Sequence, residues 1–119
     1  MTKSRAKADR AVAAFHRLYN DENYQGIYDM LADEAKRDVN KDEFIATAKQ
    51  AYEKWGKSQS SNLSQAKVFP SPLQVRMIYN VEFEKGDAQE WFIWDTRGNE
   101  ARLLQYQHYP GFDKPEPEK

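Results

Sequence analysis

Few residues in this 119-residue chain have the type and spacing to do chemistry, and the acid Glu90 stands first among them. It lies in the run Ala88-Gln-Glu-Trp-Phe-Ile-Trp-Asp95, where an extended backbone puts Glu90 on the same side as Phe92 and Trp94. If that side faces inward, Glu90 is a carboxylate in an apolar setting. A proton-abstracting base needs such a setting, together with a tyrosine or a protonated acid to hold an oxyanion. The simpler expectation is that Glu90 lies near a hairpin end and pairs with an outward Arg76 or Arg102, so no catalytic residue is assigned. A second group is both aromatic and polar: Tyr106 and His108 share one face of a final strand with Leu104, while Tyr24 and Tyr28 share a helical face. Such hydroxyls and an imidazole, brought together, orient a polar ligand. The commoner arrangement buries the ring and sends the hydroxyl to the rim.

Other chemistries find no support. His16 and His108 are the two histidines, and neither has a His or carboxylate partner at metal-ligand spacing, so no metal or other cofactor is expected. There is no cysteine, which removes disulfides, thiolate nucleophiles and Cys-based zinc sites. The serines at 58, 60, 61 and 64 lack the glycines of a nucleophile elbow. Asn62-Leu63-Ser64 is a glycosylation sequon that matters only in a eukaryotic secretory setting. Lys3, Arg5, Lys7, Arg10 and Arg17 read as a solvated helix face, because Asp9 interrupts them and no aromatic platform is interleaved. Lys plus Arg (18) balances Asp plus Glu (19) over the chain, so no nucleic-acid partner is implied. No run of 18 apolar residues or signal-type leader occurs, and no membrane insertion is expected.

The elements that must position these residues follow two periods. From Ser4, a plausible N-cap, apolar residues at Ala8, Ala11, Val12, Phe15, Leu18 and Tyr19 form a helical stripe. Asn20 to Asn23 interrupt it, and a second helix carries Tyr24, Ile27, Tyr28, Leu31 and Ala35 on one side. Asn40, with Glu43 three residues on, opens a third helix whose stripe runs from Phe44 to Trp55 and which Gly56 ends. Residues 57–62 read as a polar connection to the sheet, and 63–69 as a weakly patterned first strand closed by Pro70-Ser-Pro72. Next comes a hairpin, Leu73 to Glu84 and Ala88 to Asp95, turning at Lys85-Gly86-Asp87. Arg97-Gly98-Asn99 offer positive-φ residues for the turn into a last strand, Ala101 to His108. Residues 1–111 are expected to form one domain, and the charged, proline-bearing 112–119 a disordered tail.

The hairpin's two strands differ. Leu73, Val75, Met77, Tyr79, Val81 and Phe83 point one way, with polar residues between most of them. Its partner is apolar on both faces, Trp91 and Ile93 on one, Phe92 and Trp94 on the other. Burying one such side chain is worth roughly 1.5–3 kcal/mol, so one pair is expected to meet the helices and the other a partner. Helices followed by strands in meander order imply an α+β fold, three N-terminal helices on a curved antiparallel sheet of about four strands.

Ala14-Phe15-His16, Tyr24 and Ile27-Tyr28, Phe44, Lys54-Trp55-Gly56, Tyr79, Phe83, Gly86, Ala88, Phe92, Trp94, Leu104, Tyr106 and His108 together give a further signal. In this pattern, over residues 11–109, the chain resembles the NTF2-like, cystatin-like α+β superfamily, and within it small uncharacterised bacterial envelope proteins of the DUF4019 type. The resemblance implies a cone between the concave sheet and the helices as the ligand site, with Tyr24, Tyr28, Met77, Tyr79, Trp94, Tyr106 and His108 as candidates to line it. Trp91 and Ile93 are the interface candidates, in a homodimer through the sheet or against a partner protein. The function implied is a non-catalytic module for a small apolar ligand or a protein. A ketosteroid-isomerase-like isomerase or dehydratase acting through Glu90, and a small inhibitor or immunity protein, are the alternatives. The resemblance also suggests the bacterial envelope, with the cytoplasm left open.

Overall fold

The computed structural model describes residues 3–111. The expected tail, 112–119, lies outside them. Four helices precede four strands: α1 (Lys3–Asn20), α2 (Tyr24–Asp29), α3 (Asp33–Asp38), α4 (Lys41–Trp55), β1 (Ser58–Pro70), β2 (Leu73–Phe83), β3 (Gly86–Asp95) and β4 (Arg102–Pro110). The strands form one curved, open antiparallel sheet in the order β1-β2-β3-β4, with the helices on its concave face. The α+β class expected from the sequence is therefore the class observed.

The core lies between α1 and the inner face of the sheet. α1 buries Ala8, Ala11, Val12, Phe15 and Tyr19, a stripe of three- and four-residue spacings. Ser4 is buried inside the helix, not at its cap, because α1 already includes Lys3. Opposite the stripe lie Val75, Met77, Tyr79, Val81 and Phe83 of β2, Ala88, Phe92 and Trp94 of β3, and Leu103 of β4. Phe92 stacks on Trp94 at 5.5 Å between ring centroids and meets Phe15 edge-on at 5.2 Å. The second strand of the hairpin thus turns Phe92 and Trp94 inward, and Trp91 and Ile93 outward, where each is half-buried.

The single helix expected from Tyr24 to Ala35 is two short ones. Asn23 caps α2, its side-chain oxygen accepting from Gly26 N at 2.9 Å. At Leu31 the backbone leaves the helix for the edge of β4: Leu103 N donates to Met30 O and Ala32 N to Leu103 O, each at 2.8 Å. These two bonds replace the helical ones that would have joined the segments. Asn40 caps α4 by accepting from Glu43 N at 3.0 Å. Gly56, at φ 76°, ends α4 and donates to Tyr52 O at 2.7 Å.

Two expectations about the strands change. The polar stretch read as a connection belongs to β1, since Ser58, Ser60, Ser61 and Asn62 pair with Phe83, Glu82, Val81 and Asn80. Its side chains are mostly exposed, so apolar alternation could not mark it, and backbone pairing holds it. Among the described residues, no positive φ occurs at Arg97, Gly98 or Asn99. Side chains shape that loop instead: Asp95 accepts from Arg97 N at 3.0 Å, and Lys7 Nζ donates to Gly98 O at 2.6 Å.

The contrast between the faces of β3 is measurable. Phe92→Ala should lower unfolding free energy by about 3–5 kcal/mol and Trp91→Ala by less than about 1.5 kcal/mol, read from urea midpoints. Equal losses would contradict the inward placement of Phe92.

Candidate functional site

The two-residue period that sends Phe92 and Trp94 into the core takes Glu90 with them. Glu90 is 2% exposed. Its Oε1 accepts from His16 Nε2 of α1 at 2.6 Å, and its Oε2 accepts from the Tyr106 hydroxyl of β4. The expected outward pairing of Glu90 with Arg76 or Arg102 does not occur. Arg76 lies over the Phe69 ring at 4.4 Å on the outer face, and Arg102 donates to Asp29 O at 3.0 Å. A carboxylate this deep needs partners in place of water, and a histidine and a tyrosine supply them.

Glu90 and Tyr106 open onto a cavity of about 560 Å³ between α4 and the β3–β4 half of the sheet. Phe44, Ala48, Ala51 and Trp55 of α4 form one wall. Leu103, Leu104, Tyr106 and His108 of β4 form the other, and Phe15 and Tyr19 of α1 line the inner end. Leu103 and Leu104 both face it because β4 carries an extra residue opposite the Ile93–Trp94 step. Small residues on α4 leave the space that larger ones would close. Two roomier depressions lie elsewhere on the surface: a cleft of about 940 Å³ lined by charged residues such as Asp33, Glu34 and Arg97, and a groove of about 810 Å³ on the outer sheet face beside Trp91 and Ile93. The cavity beside Glu90 is the one that meets a buried titratable group.

Burial sets the ionisation of its walls. Tyr106 is held well above the ordinary phenol range by desolvation and then by the Glu90 charge, so its hydroxyl remains a donor. Burial pushes the His108 imidazole down, favouring its neutral form, and the ring packs between Phe83 and Trp55 at 5.8 and 5.0 Å. Tyr19 is raised chiefly by burial and donates to Gly56 O at 2.7 Å. Among the described residues, no group of three His, Cys, Asp or Glu side chains could hold a metal.

The remaining candidates separate. Tyr106 and His108 line the cavity. Met77, Tyr79 and Trp94 do not; they are buried under α1, at 1%, 9% and 0% exposure, in space that Phe15 helps to fill. Tyr24 packs on Tyr52 at 6.5 Å and Tyr28 on Phe44 at 5.8 Å within the helical layer, apart from the cavity lining. Trp91 and Ile93 line the outer groove, with Trp91 edge-on to Tyr109 at 5.2 Å. Sequence reasoning considered His16 as a metal ligand and as part of the resemblance, but missed it as a partner of Glu90, and it missed the α4 wall. Their signals were a histidine beside Phe15 on the apolar stripe and Ala48 and Ala51 spaced three apart on a helix.

No family model matches the chain, and no curated protein does. Among solved structures it is similar to Bd1075 of Bdellovibrio bacteriovorus, with a TM-score of 0.60 and 14% identity over 96% of this chain. The match covers 45% of that protein, so this chain spans less than half its length. At that identity the likeness shows a shared fold and nothing of activity.

Two measurements probe this interior. Desolvation, with a contribution from Asp9, pushes the Tyr79 phenol up to about 12. Between pH 10 and 12 the unfolded chain loses this proton and the native one keeps it, so stability is complete below about 10 and falls as pH rises toward 12. Tyr79→Phe should remove about 2 kcal/mol of that alkaline loss in equilibrium unfolding. Separately, Glu90→Ala leaves His16 and Tyr106 without their shared acceptor and should cost about 2–4 kcal/mol in urea unfolding at neutral pH.

Proposed function

We propose that this chain is a non-catalytic binding module of the NTF2-like superfamily, of the DUF4019 type, that takes a small apolar ligand in the cavity between α4 and β3–β4. One observation carries the reading: a cavity with mostly apolar walls ends on a single buried carboxylate whose two oxygens are already held by His16 and Tyr106. Binding sites commonly combine an apolar body with a few fixed polar groups. The same geometry speaks against an isomerase acting through Glu90. An isomerase site needs an oxyanion donor that points at the substrate. Here the cavity tyrosine beside Glu90 spends its hydroxyl on Glu90 itself. The pattern of residues 11–109 favours a bacterial protein of the envelope.

Under the same reading a second copy of the chain, or a partner protein, meets the outer sheet face. Trp91, Ile93 and Ile78 are half-buried there beside a groove lined, among the described residues, by strands alone. A homodimer through this face is the simplest form.

Binding is tested with N-phenyl-1-naphthylamine, a neutral apolar fluorophore that brightens when shielded from water. Saturable enhancement is expected, and Ala48→Phe, which fills the α4 wall, should weaken it roughly tenfold, a loss of about 1.4 kcal/mol. No saturation, or equal binding by the folded variant, would overturn the reading. Light scattering after size exclusion tests the dimer: a dimer at tens of micromolar that Ile93→Glu converts to monomer is expected, and a strict monomer removes it.

A further inference from the structure

Building on the binding reading above, we infer that the cavity selects apolar molecules that end in an amine, and discriminates against those that end in a carboxylate. The geometry around Glu90 points to this class. Among the described residues, Glu90 is the one acid lining the cavity, and no lysine or arginine lines it. Lys54, the basic residue whose charge reaches His108, stands outside with its ammonium over the Trp55 ring at 5.7 Å. An anionic head group would therefore meet a buried carboxylate with no cation facing it from the walls, which is costly in an apolar setting.

The donors near Glu90 are not available to an anion either. His16 approaches Glu90 from α1, outside the cavity lining, and its Nε2 is engaged at 2.6 Å. The Tyr106 hydroxyl is engaged with the other oxygen. An ionised carboxylate, however, can accept about four hydrogen bonds, and Glu90 uses one on each oxygen. Acceptor capacity therefore remains on Glu90, a residue of the cavity lining, and it suits a donor with a positive charge. The aromatic walls add to this preference. Phe15, Phe44, Trp55 and Tyr106 surround the space with rings, and a cation is drawn to a ring's face when water is excluded. The rest of the lining, Ile27, Leu31, Leu103 and Leu104 among it, suits an alkyl or aryl body.

The test uses three probes with the same chain, n-octylamine, n-octanol and n-octanoate, titrated calorimetrically into the whole protein near neutral pH. Octylamine is expected to bind roughly tenfold or more tighter than octanoate, with octanol between them. Glu90→Gln should bring octylamine down to the octanol affinity while changing octanol by less than about threefold. The order of the three probes on the unaltered protein stands as a test even if that variant folds poorly. Octanoate binding as tightly as octylamine would overturn the amine preference and leave the binding module intact. Failure of all three to bind would overturn the module itself.

Discussion

The packing of Phe92 and Trp94 under α1 is the constraint from which the rest of the site follows. Two stacked rings, met edge-on by Phe15, decide which face of β3 is interior. Strand geometry leaves no freedom after that, because residues two apart share a side. Glu90 is carried inward by its neighbours' burial, and a carboxylate in that position is tolerable only with hydrogen-bond donors close by. His16 of α1 and Tyr106 of β4 are those donors, so a polar network ties the first helix to the last strand across an aromatic core. Apolar packing chooses the register, and the network makes its one polar consequence stable.

The cavity arises from a different balance. α1 covers the β2 side of the sheet and fills the space with large side chains. α4 faces the β3–β4 side with Ala48 and Ala51, too small to reach the opposing Leu104 and Tyr106 and close the gap. At its far end Trp55 closes over Gly86, where a Cβ would stand 2.8 Å from the indole ring, so glycine there lets the helix end approach the hairpin. The cone is thus solid on one side and hollow on the other, and the hollow lies where the buried acid is.

Much of the fold was legible because it rests on period. The α1 stripe, the inward row of β2 and the caps at Asn40 and Gly56 depend on local spacing, and each is present as read. What was not legible depends on partners distant in sequence. Ser58 to Asn62 form a strand only because β2 lies beside them, and the helix breaks at Leu31 because Leu103 offers backbone groups there. The same holds at the site. Glu90 shared a side with Phe92 and Trp94 on inspection, yet its partners, 74 and 16 residues away, leave no local mark. Met77, Tyr79 and Trp94 were pocket candidates because the resemblance places a cone over the sheet, but which part of the inner face α1 fills depends on tertiary placement.

The short bridge at Leu31 also makes the two borders of the sheet unequal. On the β4 side, the chain around Leu31 already engages the backbone of Leu103. On the β1 side, thirteen residues run along the border, mostly exposed and with Lys67 their sole charge. Long borders with few charges are the ones most able to accept another extended segment, and charged residues are the usual deterrent. Any lengthening of this sheet by an added strand is therefore polarised toward β1, on the opposite border from Tyr106, and could proceed without disturbing the cavity.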